Sequence, residues 1–198
     1  MNGKGNIKER SDNGKLIFEG EYLNGERNGK VKEYNSNGKL IFEGEYINGE
    51  RNGKVKEYNS NGELVFEGEY LNGKINGKGN EYNGIMILFK GNYLNGERNG
   101  EGKEYYNNSS NLKFEGEYKN GEKNGNGKEY YYNNSKLIFE GEYKNGKKNG
   151  KGKEYYFNGN LIFEGEYING ERNGKGKEYN SNGKLIFEGE FINGERKE

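Results

Sequence analysis

The amino-acid sequence repeats itself about every 24 residues along almost the whole of its 198 residues. Copies align on the motif FEGEY or its variants, with slips of one residue. The first residue of each copy is Phe18, Phe42, Phe66, Phe89, Phe114, Phe139, Phe163 and Phe187. A fixed period in this range is typical of repeat architectures, in which each unit packs only on its neighbours. The repeat is therefore the feature that most limits what the chain can fold into.

One repeat, residues 15–38, has the pattern of a β-hairpin. Its segments KLIFEGEY and KVKEY carry aromatic and branched residues in extended alternation, and Asn-Gly pairs supply the positive φ that tight turns need. A single hairpin buries too few large side chains to offset backbone entropy, so the hairpins must stack. The sequence predicts an all-β fold without helices: an elongated, single-layer antiparallel β solenoid of about eight stacked 24-residue hairpins.

The predicted domain organisation is one repeat domain over residues 1–198. Its units begin near residues 15, 39, 63, 86, 111, 136, 160 and 184, after a partial unit at residues 1–14. Residues 3–8 have the pattern of a second strand, and residues 185–191 that of a first strand. Uncapped β edges invite further pairing, so we expect weak self-association there.

The pairing of the two strands of a hairpin follows from the charge pattern. If Tyr22 lies opposite Gly29, then Glu21 lies opposite Lys30 and Glu19 lies opposite Lys32. The outer face then becomes a ladder of opposite charges.

A glycine between two rings has a structural reason in this pattern. Phe18, Gly20 and Tyr22 share one face of the first strand. Because Gly20 has no side chain, the flanking rings can lie over the backbone.

The composition argues against an enzyme and against a nucleic-acid-binding protein. The chain has no His and no Cys, so it lacks the usual general base near neutral pH, a thiolate nucleophile and the common zinc ligands. Lys plus Arg and Asp plus Glu both number 32, so no net field attracts nucleic acid. The sequence predicts a protein without catalytic activity, cofactor or metal.

The predicted localisation is cytoplasmic, with peripheral attachment to a membrane as an extension of that prediction. The N-terminal segment MNGKGNIKER lacks the apolar core of a signal peptide. No apolar run approaches the roughly 18 residues that a membrane-spanning helix needs.

The repeated positions carry a family resemblance. Phe18, Gly20, Tyr22, Gly25 and Gly29 match the pattern aromatic-x-Gly-x-aromatic-x-x-Gly-x-x-x-Gly-x-Gly, and the match returns along almost the entire chain. This pattern resembles the MORN (membrane occupation and recognition nexus) repeat. The resemblance implies a twisted, single-layer antiparallel β array. It also implies a role in binding proteins or acidic phospholipids, often as a scaffold.

The repeat also departs from the usual MORN unit. It is one residue longer, so Tyr34 comes one place late, and Val31 and Val55 replace the final glycine in the first two units. In this it resembles the MORN-variant subgroup, which includes bacterial antitoxin-like proteins. That resemblance implies inhibition of a partner protein as an alternative function. The late Tyr34 requires a β-bulge near Lys32 and Glu33 to keep its face.

Extra aromatic residues follow the second strand in the C-terminal half. Since equivalent positions stack in a solenoid, these rings should form a ladder along one side, and aromatic rings with polar tips suit protein recognition. The alternative is that they thicken the core. The predicted protein-binding residues are Tyr106, Tyr131, Tyr132, Tyr156 and Phe157.

Basic residues recur in the long turn and concentrate in one copy. The repeated position forms a row of Arg27, Arg51, Arg98, Lys123, Lys148 and Arg172, largely cancelled by the glutamates that precede most of them. The locally basic segment 144–153 predicts contact with acidic lipid headgroups, against the alternative of a solvated turn. The predicted lipid-binding residues are Lys144, Lys147, Lys148, Lys151 and Lys153.

The predicted function is a non-enzymatic protein-binding scaffold with a protein partner. Peripheral binding to acidic phospholipid is the first alternative. One copy, residues 83–93, is a residue short and apolar on both faces. It predicts a bend, with an apolar contact patch as the alternative.

Overall fold

A computed structural model describes residues 3–197 and places seventeen β-strands in one open antiparallel sheet. No residue in this range is helical. The predicted all-β, single-layer solenoid of hairpin repeats is confirmed. The chain divides into two compact units, Met1–Glu97 and Arg98–Glu198.

The first unit contains the strands β1 to β8. Their bounds are Lys4–Arg10 (β1), Leu16–Leu23 (β2), Glu26–Tyr34 (β3), Leu40–Ile47 (β4), Glu50–Tyr58 (β5), Leu64–Leu71 (β6), Lys74–Asn83 (β7) and Met86–Leu94 (β8).

The second unit contains the remaining strands, of which the first starts at the boundary residue. Their bounds are Glu97–Tyr105 (β9), Leu112–Lys119 (β10), Glu122–Tyr130 (β11), Leu137–Lys144 (β12), Lys147–Tyr155 (β13), Leu161–Ile168 (β14), Glu171–Tyr179 (β15), Leu185–Ile192 (β16) and Glu195–Arg196 (β17).

The first full hairpin, β2–β3, tests the predicted register. Glu19 lies opposite Lys32, which confirms this pair of the outer charge ladder, whereas the register shift after Gly20 breaks the predicted Glu21–Lys30 pair. The predicted pairing of Tyr22 with Gly29 is wrong, because the register shifts within the hairpin and puts Tyr22 opposite Arg27. Gly29 instead lies opposite the tyrosine of the next repeat.

A second register shift confirms the bulge that the late tyrosine requires. In the β3–β4 pair the register changes between Glu33 and Tyr34. The Tyr34 hydroxyl then donates a hydrogen bond to Glu19 Oε1 over 2.7 Å. Burial, together with this bond, raises the pKa of Tyr34 to about 12. Tyr58 and Tyr130 donate the same bond in their own repeats.

The core consists of the repeated phenylalanines and the tyrosines beside them. Phe42 and Tyr46 of β4 are buried and meet edge to face, with ring centroids 5.8 Å apart. In the second unit, Phe139 meets its own Tyr143 at 5.5 Å and Tyr167 of the next repeat at 5.3 Å. Rings therefore contact one another along the first strand of each repeat and between the first strands of consecutive repeats.

The rings of Phe114, Phe139 and Phe163 in the second unit each lie against a pair of facing glycines. Gly141 and Gly152 lie opposite one another in the β12–β13 hairpin. A Cβ on Gly141 would come within 2.8 Å of the Phe139 ring and 2.5 Å of the Lys151 carbonyl oxygen. Packing of rings over bare backbone is thus confirmed. In the first repeat, the buried side chain of Val31 replaces the second glycine.

The two-residue turns within the hairpins tie each repeat to the one before it. Asn24 and Gly25 have φ angles of 50° and 89°, and the two-residue turn they form requires positive φ at both positions. In the next repeat, the Gly49 N–H donates to the Arg27 carbonyl oxygen of the preceding repeat over 2.9 Å. The same bond recurs, for example from Gly170 to Lys148.

The short copy at residues 83–93 keeps its strands and shortens its turn. β7 and β8 are joined by Gly84 and Ile85 alone, and Asn83 lies directly opposite Met86. The missing residue is absorbed in this turn, and the predicted bend stays a prediction. Ile85 is left 92% exposed.

We expect Gly141→Ala to lower the free energy of unfolding by about 1–3 kcal/mol, the usual cost of overpacking a core. The new methyl would meet backbone atoms that cannot turn away. Urea unfolding, monitored by circular dichroism, measures the change in the free energy of unfolding. The matched control is Gly5→Ala, because a Cβ there meets no atom within 4 Å. Equal stability of the two variants would contradict the packing of rings on glycine.

Candidate interaction surfaces

The extra aromatic residues of the second unit hold successive repeats together through their hydroxyl groups. The Tyr106 hydroxyl donates to the Tyr130 carbonyl oxygen over 2.7 Å. The Tyr131 hydroxyl donates to the Tyr155 carbonyl oxygen over 3.2 Å. Tyr156 repeats the bond one unit later. These three tyrosines are half-buried, so their first role is structural.

The next residue in two of these turns presents an aromatic ring to solvent. Tyr132 is 45% exposed and Phe157 is 55% exposed. Tyr132 meets Tyr106 edge to face at 5.0 Å, and Phe157 meets Tyr131 in the same way at 5.5 Å. Lys136 Nζ lies 5.2 Å from the Phe157 ring centroid. Bonded tyrosines therefore hold the exposed rings in place.

These residues together form a surface that we call the aromatic strip. It consists of Tyr106, Tyr131, Tyr132, Tyr156 and Phe157. In the first unit the corresponding turn carries Asn35 and Ser36, and Asn35 Nδ2 donates to the Ser60 carbonyl oxygen. An amide there makes the link between repeats that a tyrosine hydroxyl makes in the second unit. Among residues 3–197, exposed aromatic rings occur only in these turns of the second unit.

The five predicted lipid-binding lysines do not form one cluster. Lys144, Lys147 and Lys151 are exposed, and Lys144 lies directly opposite Lys147 in the β12–β13 hairpin. Lys153 pairs with Glu164 at 3.4 Å. The preceding hairpin places a glutamate opposite its lysine at the Lys144 position. The Lys144–Lys147 pair is thus a local concentration of positive charge.

Lys148 faces away from that group of lysines. Its Nζ lies 4.1 Å from the Phe139 ring centroid and 3.4 Å from Glu154 Oε1. The predicted basic row, to which Lys148 also belongs, is therefore not an exposed surface. The glutamates that neutralise it stand near the ends of second strands, and not immediately before the cations as the sequence suggested.

Cations and carboxylates alternate along each unit in a row of partly buried side chains, which we call the buried ladder. In the first unit Arg27 contacts Glu9 at 3.1 Å and Glu33 at 3.7 Å, and Arg51 contacts Glu33 and Glu57 at 3.2 and 2.7 Å. The same alternation in the second unit uses Arg98, Glu104, Lys123, Glu129, Lys148, Glu154, Arg172, Glu178 and Arg196.

The cations of the buried ladder also cover the phenylalanine rings. The guanidinium carbon of Arg27 lies 3.9 Å from the Phe18 centroid, and that of Arg51 lies 4.0 Å from Phe42. Each contact combines a cation–π interaction with shielding of the ring from water. Ile75 occupies the cation position of one repeat in the first unit.

The charges of the buried ladder depend on one another. Burial alone would raise the pKa of Glu154, but hydrogen bonding to Arg172 and the charges of Arg172 and Lys148 hold that pKa below its usual value. Because the pKa is lowered by folding, the ion pair stabilises the protein above the ordinary carboxyl pKa of 4.5. That contribution is lost as the pH falls through the lowered value.

We expect Arg172→Ile, which copies the natural residue at position 75, to lower the free energy of unfolding at neutral pH by about 1–3 kcal/mol, because it leaves partly buried carboxylates without their cation. The difference from the unmodified protein should shrink as the pH falls below 4.5 and Glu154 takes up a proton. Urea unfolding at several pH values measures it. The control is Lys175→Ile, on the exposed surface of the same strand. A difference that does not depend on pH would contradict the ion-pair account.

Two features bear on membranes and metals. Within residues 3–197 no helix is long and apolar enough to cross a membrane. Nor does this described range contain a group of three or more His, Cys, Asp or Glu side chains that could hold a metal ion.

Comparison with known families agrees with the geometry. The MORN repeat model matches residues 66–83, 89–110, 114–136, 139–161 and 163–184. The MORN repeat variant model matches residues 27–48 and 51–72. A search of curated proteins finds no match. MORN repeats are consistent with a repeat-based binding scaffold. The matches cover well over half of the chain, which therefore belongs to the MORN repeat family.

Proposed function

We propose that this protein is a non-enzymatic scaffold that binds a protein partner through the aromatic strip of its second unit. The observation that carries the proposal is the exposure of Tyr132 and Phe157 on a framework of bonded tyrosines. Rigid aromatic rings with little conformational entropy to lose are the side chains that most often dominate protein–protein binding. The polar tips of the tyrosines add hydrogen-bonding groups beside the apolar rings.

The sequence does not single out any one repeat by a distinctive set of catalytic side chains, and this supports a binding role. The chain has no His and no Cys. Its carboxylates recur in every repeat, and those of the buried ladder are paired with Arg, Lys or Tyr side chains. Acid–base catalysis needs two neighbouring groups with different pKa values, so that one can donate a proton and the other can accept one. The repeats do not set any one carboxylate pair apart from the others in this way. The cytoplasmic location stays a prediction, because a chain without Cys carries no sign of its redox compartment.

The aromatic strip can be tested by capture of partner proteins from cells of the source organism. We expect the double variant Tyr132→Ser and Phe157→Ser to lose, at least about tenfold, a partner that the unmodified chain retains. Its melting temperature should change little, because both side chains are about half exposed. Quantitative mass spectrometry of the captured proteins measures the effect.

A matched control removes the same kind of surface from the first unit. Ile47→Ser and Leu71→Ser delete two aliphatic side chains that are 49% and 50% exposed. This variant should retain the partner. If both double variants retain the same proteins, the aromatic strip is not the binding surface.

A second function, binding of acidic phospholipid, is favoured by the Lys144–Lys147 pair. Like charges directly opposite in a hairpin destabilise it, and an anionic headgroup would relieve the repulsion. Lys151 stands exposed on the same strand as Lys147. The inhibitor function implied by antitoxin-like proteins stays a prediction, because no feature of the structure bears on it.

We expect sedimentation with vesicles that contain phosphatidylserine, and its disappearance as the salt concentration rises, because exposed charges are screened. The variant Lys144→Glu with Lys147→Glu should stay in the supernatant. Replacement of Lys175 by Glu, outside this group, serves as the control. Equal sedimentation of all three proteins, or binding to neutral phosphatidylcholine vesicles, would exclude these lysines as a headgroup site.

A further inference from the structure

The two exposed rings of the aromatic strip stand at equivalent positions of consecutive repeats. Tyr132 is the second residue after β11, and Phe157 is the second residue after β13. Each ring packs edge to face on a tyrosine of the preceding repeat, Tyr106 for Tyr132 and Tyr131 for Phe157. The rings are therefore related by one repeat, which is two strand spacings of the sheet, or about 9–10 Å. A partner that contacts both rings must present apolar groups at this interval.

The turns between the hairpins of the second unit carry positive charge only. They contain no Asp or Glu, and they comprise residues 106–111, 131–136, 156–160 and 180–184. Their charged residues are Lys136 and Lys184, which are exposed and form no salt bridge with a carboxylate of residues 3–197. The corresponding turns of the first unit include Asp12 and Glu63. Because Lys136 Nζ lies 5.2 Å from the Phe157 ring centroid, a segment that crosses the rings also meets an unneutralised cation.

The interval between the rings selects among the regular conformations of a partner chain. A polyproline II helix has three residues per turn and rises about 3.1 Å per residue, so its residues i and i+3 stand about 9.3 Å apart along one edge. Residues i and i+2 of an extended strand stand about 6.8 Å apart. Residues i and i+7 of an α-helix stand about 10.5 Å apart. The polyproline II interval fits the two rings best.

We propose that the aromatic strip binds an acidic, proline-rich segment of its protein partner in the polyproline II conformation. The proposal rests on the scaffold function proposed above and names the chemistry of the partner. Prolines at positions i and i+3 lie on the rings of Tyr132 and Phe157, since aromatic side chains are the usual surface that binds such segments. A carboxylate beside the second proline pairs with Lys136. A polyproline II segment is largely ordered before it binds, so it loses little conformational entropy.

The hydroxyl groups of the strip allow one further contact. Those of Tyr106, Tyr131 and Tyr156 already donate to backbone carbonyl oxygens of the next repeat. The Tyr132 hydroxyl donates to no group among residues 3–197. A polyproline II segment has no internal hydrogen bonds, so its carbonyl oxygens are free to accept. The Tyr132 hydroxyl can therefore donate to the backbone of the segment that its ring contacts.

Selection of short random peptides, displayed on phage, against the immobilised 198-residue chain tests the proposal. We expect the enriched peptides to share the spacing Pro-x-x-Pro with Asp or Glu beside it. Synthetic copies should bind the unmodified chain in fluorescence anisotropy. Replacement of both prolines by alanine should weaken binding at least about fivefold. The double variant Tyr132→Ser and Phe157→Ser should bind these peptides at least about tenfold more weakly.

The variant Lys136→Glu tests the charge separately from the rings. Glu63 occupies the corresponding position of the first unit, so the fold accepts a carboxylate there. We expect Lys136→Glu to bind the acidic peptides at least about fivefold more weakly, by a factor that decreases as the salt concentration rises. The matched control is Lys39→Glu, the same change in the corresponding turn of the first unit. It should bind the peptides as the unmodified chain does.

Four results would overturn the proposal. They are the absence of any enriched peptide, enriched peptides without the proline pair, equal binding to the variant that lacks both exposed rings, and a Lys136→Glu variant that behaves like Lys39→Glu. The scaffold function is judged independently by the capture of partner proteins from cells. If that capture depends on Tyr132 and Phe157 while the enriched peptides lack the proline pair, the scaffold function stands and the proposed partner chemistry fails.

Discussion

The contact on which the rest of the structure depends is that of a phenylalanine ring with two facing glycines. A single-layer sheet has no second layer to cover its apolar face, so the rings must lie flat enough to be covered by their neighbours. Glycines at positions such as Gly141 and Gly152 allow this approach. The high glycine content is therefore a packing requirement of the sheet, and not only a property of its turns.

Charged side chains complete the packing of the aromatic rings. The cations of the buried ladder lie over the rings, and the glutamates between them neutralise the row. On the outer face, Glu19-type and Lys32-type residues pair across the strands. Charges on both faces are thus largely paired with opposite charges, in keeping with the formal net charge of +0 of a chain with 32% charged residues. A surface without a large field leaves recognition to the places where the copies differ.

The repeat, the hairpin and the core residues follow from the sequence because they are periodic, and periodicity averages out local ambiguity. The pairing of Tyr22 could not be predicted, since a bulge changes register without leaving a mark in composition. Lys148 was misplaced for a related reason: the carboxylate that holds it is near in space through strand pairing and not in sequence. The residues predicted from the sequence for the aromatic strip have two different roles. Only the structure separates the bonded Tyr131 from the exposed Tyr132.

The hydrogen bond from a turn glycine to the preceding repeat, as from Gly49 to Arg27, has a consequence for how such a chain can change in length. Each repeat offers its successor the same carbonyl oxygen, the same ring and the same alternation of charge. A whole unit inserted by gene duplication would find these partners already in place on both sides. Insertion of a single residue within a strand, without a bulge to absorb it, would instead put the following rings on the wrong face. The fold therefore accepts the insertion of whole repeats, but not of shorter segments outside its turns.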